Sequence, residues 1–219
     1  MYRISELLDL SHTIAAPLFE GKDYPWEVLG GIKEFILALG STLPAEEFDN
    51  PTEGVWIAKD ATVFPSAYIG APCIIDHGAE VRHCAFIRGS AIVGKNCVVG
   101  NSVELKNAVL FDNVQTPHYN YVGDSILGYK SHMGAGSITS NVKSDKTLVV
   151  VKNGEERIET GLKKFGAILG DHVEVGCNSV LNPGCVLGRR VSVYPTSSVR
   201  GVIPEGHIYK SENSIVKRG

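Results

Sequence analysis

The sequence predicts a mainly β chain: a coil of short β-strands that turns a corner every six residues, led by a short helical segment and interrupted by a projecting hairpin arm. Three observations predict it. Every sixth residue from Ile57 is apolar, through Val63, Ile69, Ile75, Val81, Ile87, Val93, Val99, Leu105 and Phe111. At this chain's hydrophobic content such a run has a chance of about one in a thousand, all six phases allowed for. Four residues after each of the first nine stands a small or β-branched residue, Ala61, Ala67, Cys73, Ala79, Ala85, Ala91, Cys97, Val103 and Val109. A helix cannot use this period, because six residues turn it by about 240° net and scatter the apolar positions around its circumference. A β-coil points each apolar position inward, where equivalents stack from turn to turn.

The N-terminal part, residues 1–54, lacks the period. Asp23 before Pro25 reads as a helix start, and Leu29, Ile32, Ile36 and Leu39 form one apolar stripe, so a helix is expected to cover the end of the coil or contact another subunit. The coil itself is expected over 55–205. Its rhythm stumbles after Phe111 and resumes at Leu127, Met133 and Thr139, moved by four residues. A small loop extruded near Pro117, His118, Tyr119 and Asn120 would account for the slip, and such loops carry function on a rigid scaffold. A second interruption, 140–167, contains Asn153-Gly154 between strand-like runs, a hairpin turn, and ends in the basic Lys163-Lys164. The rhythm returns from Leu169 to Val199, and 206–219 reads as a strand-like tail, extended along another chain or not.

Net charge is -3 and the sequence pI about 6.2, which gives no global basic footprint for nucleic acid. The N-terminus mixes charges into its apolar residues, unlike a signal peptide or membrane span, so a cytoplasmic location is expected. Of the five cysteines, Cys73, Cys97 and Cys185 fall at small inward positions, while Cys84 and Cys177 do not. None forms a CxxC pair, and no metal site is assigned.

Four pieces carry a family resemblance: the arginine of FIRGS, the lysine of VELKNA, the histidine of PHYNYVGDS, and MGAGSITSN. Arg88 and Lys106 are 18 residues apart and Lys106 and His118 are 12 apart, in whole hexads. With its Ile-Gly and Val-Gly steps, the chain resembles hexapeptide-repeat acyltransferases, and most closely the acetyltransferase half of bifunctional N-acetylglucosamine-1-phosphate uridyltransferase/glucosamine-1-phosphate acetyltransferases and their archaeal sugar-phosphate relatives. The resemblance implies a left-handed parallel β-helix and a homotrimer with sites between subunits. It also implies an acetyl-CoA-dependent N-acetyltransferase acting on an amino sugar 1-phosphate, in nucleotide-sugar biosynthesis. His118 would be the general base, because an amine attacks a thioester only when unprotonated. Arg88 and Lys106 would grip the phosphate and Tyr121 would line the pocket, with Lys146 adding charge. Asn141, with the main chain at Ala135 and Val142, would hold the acetyl group and stabilise the oxyanion.

Departures accompany the match. His132 stands where the bacterial enzymes carry asparagine, Val142 where they carry tyrosine, Cys177 for a serine and Pro195 for an alanine near the CoA channel. Arg189, Arg190 or the basic arm could meet CoA phosphates. The 55 or so residues before the coil are too few for a nucleotide-binding α/β domain, and no Gly-rich nucleotide loop is present. Two other readings stay open. One is a noncatalytic sugar-phosphate or assembly module paired with a separate nucleotidyltransferase. The other is a zinc enzyme like the β-helical γ-carbonic anhydrases, built on His77, His83, His118 and His132, although the paired histidines of that family are missing. The sugar and the acyl chain are not fixed by the sequence.

Overall fold

A computed structural model describes residues 1–218, so the last residue of the expected tail lies outside the described part. The chain forms a left-handed parallel β-helix of about nine turns. Each turn has three faces. The first carries Cys73–Ile75, Ala91–Val93, Ala167–Leu169 and Cys185–Leu187; the second Glu80–Val81, Val98–Asn101, Gln115–His118, His132–Met133 and Glu174–Val175; the third Tyr68–Ile69, Phe86–Ile87, Ile138–Thr139, Val180–Leu181 and Ser198–Val199.

The inward positions stack as the period requires. On the third face Ile69, Ile87, Leu105 and Val122 follow one another, then Thr139, Leu181 and Val199. From Ile87 onward all six are fully buried.

The phase slip has a different origin from the expected loop. Ile87 pairs with Leu105, 18 residues on, but Val93 pairs with Leu110 and Leu110 with Leu127, each 17 residues on. Two successive coils are each one residue short, and a lag of two is the same phase as an advance of four. The first shortfall sits at a corner: Lys106-Asn107 spans what Arg88-Gly89-Ser90 spans in the previous coil. Asn107 and, one coil on, Asp124 take left-handed φ of 50° and 49°, a conformation that Asn and Asp tolerate better than other residues with a Cβ. The third and first faces therefore merge there into seven-residue strands, Glu104–Leu110 and Tyr121–Leu127. Residues 117–120 are not extruded. Gln115–His118 lies in the second face with His118 beside Asn101, and Tyr119 turns the corner at φ 53° as Ser102 does at 54°.

The N-terminal segment lies along the flank of the coil rather than over its end. Its helix is split: a 3-10 turn Pro25–Val28, held by Glu27 Oε2 accepting the N–H groups of Asp23 and Tyr24, precedes the α-helix Ile32–Gly40. That α-helix packs on the first face. There the outward residues Ile74, Ile92, Val109, Ile126, Ile168 and Val186 are as buried as the inward ones, covered by a layer that includes Leu7, Phe19, Trp26, Leu29, Ile32 and Ile36. Sealing such a row is worth about 1.5–3 kcal/mol per large apolar side chain.

The arm is a two-stranded hairpin, Val150–Asn153 with Glu156–Glu159, in which Asn153 faces Glu156 and Gly154 opens the turn at φ 59°. The expected tail folds back instead of leaving the molecule. His207–Ser211 joins the second face beside Ser192–Val193, and Ser214–Lys217 pairs antiparallel with it.

Candidate active site

The shortened corners build a cluster on the outside of the third face. Alternation turns Leu105 and Val122 inward and Glu104, Lys106, Tyr121 and Gly123 outward. The main-chain N–H of Arg88 donates to the carbonyl of Leu105, which sets Arg88 and Lys106 on successive rungs. Arg88 gives a single N–H to Glu104, 2.9 Å away, and the rest of its exposed fork has no partner among the described residues.

Asp124 is the hub. Its carboxylate is 5% exposed and accepts from Lys106 Nζ at 2.7 Å, from Asn107 Nδ2 at 3.0 Å, and from Asn141 Nδ2. Asn141 gives its other amide hydrogen to the Tyr121 hydroxyl at 3.2 Å. Because an ionised carboxylate can only accept, the amide nitrogen of Asn141 must face Asp124, and its carbonyl oxygen is the group left to meet a ligand. The expectation that the Asn141 side chain stabilises an oxyanion is corrected on this point: it has no N–H to spare. The main-chain N–H groups of Ala135 and Val142 make no hydrogen bond among the described residues. Burial, then the charges of Asp124 and Glu104, push the Tyr121 phenol up from its ordinary pKa, so it stays neutral. Its ring crosses Gly123, where an added Cβ would come within 2.4 Å of the hydroxyl oxygen.

At the other edge of this face stands a row of corner residues. The carbonyl of His118 accepts from Gly136 N, that of Ala135 from Asn178 N, and that of Cys177 from Thr196 N, so His118, Ala135, Cys177 and Pro195 follow one another up one edge. His118 is exposed, and its ring makes no hydrogen bond within the described chain. Its main-chain N–H donates to Asn120 Oδ1 at 3.2 Å. The third-face strand that follows this corner begins at Tyr121.

Other expected residues lie apart. His132 sits at the start of its second-face strand, with Nδ1 2.9 Å from Glu174. Lys146 is exposed on a turn at φ 60°. Arg189 lies 3.3 Å from Asp171 and donates to the carbonyl of Ser5, and Arg190 lies 3.9 Å from Glu205. His77 contacts Asp60 and Glu47, and His83 contacts Ser66. Among the described residues no three His, Cys, Asp or Glu side chains are grouped to hold a metal. The sequence reading missed Glu104, Asn107 and Asp124. Their signal was present as Asn107, Asp124 and Asn141 spaced 17 and 17, a step one short of the 18 sought.

A family model described as the GMPPB C-terminal domain matches residues 69–155. A bifunctional GlmU protein of Methanococcus maripaludis is 31% identical over 198 residues, 89% of this chain and 48% of that one. A bifunctional sugar-1-phosphate nucleotidylyltransferase/acetyltransferase of Sulfurisphaera tokodaii is 33% identical over 106 residues, 48% of this chain and 26% of that one. The chain is related to the GlmU-type bifunctional proteins. It spans about half or less of the length of these relatives. Among solved structures, the acetyltransferase domain of PglB from Neisseria gonorrhoeae aligns with a TM-score of 0.36 at 18% identity, over 86% of this chain and 64% of that one. The N-acyltransferase AntD of Bacillus cereus aligns with a TM-score of 0.39 at 17% identity, over 74% and 78%. No helix is long and apolar enough to cross a membrane, among the described residues.

Proposed function

We propose that the chain transfers an acetyl group from acetyl-CoA to the amine of an amino sugar 1-phosphate, glucosamine or galactosamine 1-phosphate, at sites completed by a neighbouring subunit of a trimer. The observation that carries this reading is one narrow face with unlike edges. An exposed, unbonded imidazole stands on one edge and two cations on successive rungs stand on the other, with Tyr121 and Asn141 between. Relatedness to bifunctional sugar-1-phosphate nucleotidylyltransferase/acetyltransferases supports the substrate class.

In this reading His118 accepts a proton from the sugar ammonium, and the freed amine attacks the thioester carbonyl. The carbon–sulfur bond then breaks, and the CoA thiolate leaves and takes up the second proton, which the nitrogen sheds as it becomes the amide. The Asn141 carbonyl oxygen accepts an N–H of the attacking amine and so aims its lone pair. Ala135 and Val142 N–H groups receive the developing oxyanion. Arg88 and Lys106 each keep donors for the sugar phosphate, since each spends only one within the chain on a carboxylate. Cys177 and Pro195, further up the His118 edge, would border the CoA arm, and His132 and Lys146 would enter through a neighbouring subunit.

The test is release of free thiol from acetyl-CoA by the purified chain. Release that requires glucosamine or galactosamine 1-phosphate, and that free glucosamine supports far less well, is the expected result. Binding of the sugar phosphate without thiol release would favour the noncatalytic module instead.

A further inference from the structure

We propose that the cleft between the hairpin arm and the last coils binds a pyrophosphate-bearing nucleotide. It needs none of the residues given to acetyl transfer; for a free nucleoside diphosphate it goes beyond that reading, and for the nucleotide end of CoA it rests on it. The cleft has a volume of about 590 Å³ and is lined by Lys143, Lys152, Arg157, Glu159, Asn182 and Arg200 among others. Lys143 pairs with Asp145 at 3.3 Å. Lys152, Arg157 and Arg200 enter no ion pair among the described residues, so three uncompensated cations face a single carboxylate, Glu159.

The arm is built against its own electrostatics. Lys152 lies directly opposite Arg157 in the hairpin register, and side chains in that relation share one face. Like charges placed so destabilise a two-stranded ribbon. A polyanion between them converts that repulsion into paired contacts. The opposite wall supplies the third cation: Arg200 stands on the outward row that carries Arg88, Lys106 and Asn182. Val151, turned the other way on the arm, is fully buried, and Met1 pairs with Glu156, so the arm is anchored while its cationic face stays over the cleft. Two arginines and a lysine converging from two walls suit adjacent phosphates, because guanidinium forks bind phosphate oxygens in pairs. Volume remains beyond the phosphates for an attached nucleoside.

The ligand's source is either free nucleoside diphosphate or the nucleotide end of CoA, and titration calorimetry of the full chain separates them. The probes are inorganic pyrophosphate, ADP, UDP and CoA, with no acceptor present, so a failed acetyl-transfer assay leaves the result readable. Saturable binding is expected, weakened about tenfold or more by Arg157→Ala and by Arg200→Ala, as loss of a charge-assisted contact requires. Lys22→Ala and Lys33→Ala, exposed and outside the cleft, should leave it unchanged. Lys152→Ala should raise the melting temperature without ligand and shrink the rise that pyrophosphate gives. If CoA binds much more tightly than ADP and loses that margin in Arg200→Ala, the donor's phosphates occupy the cleft. If ADP and UDP bind alike and CoA is indifferent to the cleft variants, the site takes free nucleoside diphosphates. Absence of saturable binding by every probe, or undiminished binding in an Arg157→Ala/Arg200→Ala double variant that melts normally, would overturn the proposal.

Discussion

Asp124 shows how one side chain can set the chemistry of three others. It fixes Lys106 and Asn107 on one oxygen and turns the Asn141 amide on the other. Asp124→Asn should cost about 1–3 kcal/mol of stability, the penalty of leaving a partly buried cation without its counter-charge, read by denaturant unfolding. Lost orientation of Asn141 should also lower kcat more than it raises KM. Gly123→Ala is a sharper probe, because its Cβ would displace the Tyr121 hydroxyl while the backbone there stays in an ordinary conformation. The expected outcome is a severalfold fall in kcat/KM with little change in melting. Arg88 and Lys106 were legible in the sequence because they keep the 18-residue step. The Asn107, Asp124, Asn141 row was not, since a 17-residue step looks like loss of register until the left-handed corners are seen.

At the scale of elements, the hexad rule reads correctly wherever every corner has its full length. It fails where a corner is tightened, which is also where the candidate site lies. Slots that looked empty are filled by Thr116 and Val122, both fully buried. The cysteines follow the rule: Cys73, Cys97 and Cys185 are buried and Cys84 and Cys177 exposed. Burial pushes the Cys73 and Cys185 thiols up to about 12 and raises Cys97 as well. A thiol reagent should therefore modify only Cys84 and Cys177 in the native protein and all five after denaturation. Rapid native labelling of a third cysteine would contradict this packing. The N-terminal helix was visible as an apolar stripe, but its destination was not, because the outward row of the first face was not read as a docking surface. Gly40 lets that helix settle on Trp56, where an added Cβ would come within 2.3 Å of the indole. Gly40→Ala should cost about 1–3 kcal/mol by overpacking, measured as a shift in denaturation midpoint.

Across the whole molecule, a second layer of side chains wraps one face of the coil. The wrapping buries carboxylates. Burial raises the pKa values of Asp76, Asp112 and Asp171 above the ordinary 3.8, and one oxygen of Asp76 has no hydrogen-bond partner. A carboxyl whose folded pKa is raised contributes stability that is fully present below its unfolded pKa and is lost as pH rises through the folded value. Asp76→Asn should therefore gain stability relative to the parent at pH 7 and lose that advantage near pH 4, in paired melts; a pH-independent difference would contradict the assignment.

The account turns on the imidazole at the edge of the third face, and thiol release by His118→Ala tests it most directly. The ring is exposed and unbonded within the chain, so the variant should melt like the parent, within about 0.5 kcal/mol. It should release almost no thiol from acetyl-CoA in the presence of an amino sugar 1-phosphate that the parent acetylates. Parent-level release by the variant would contradict the account.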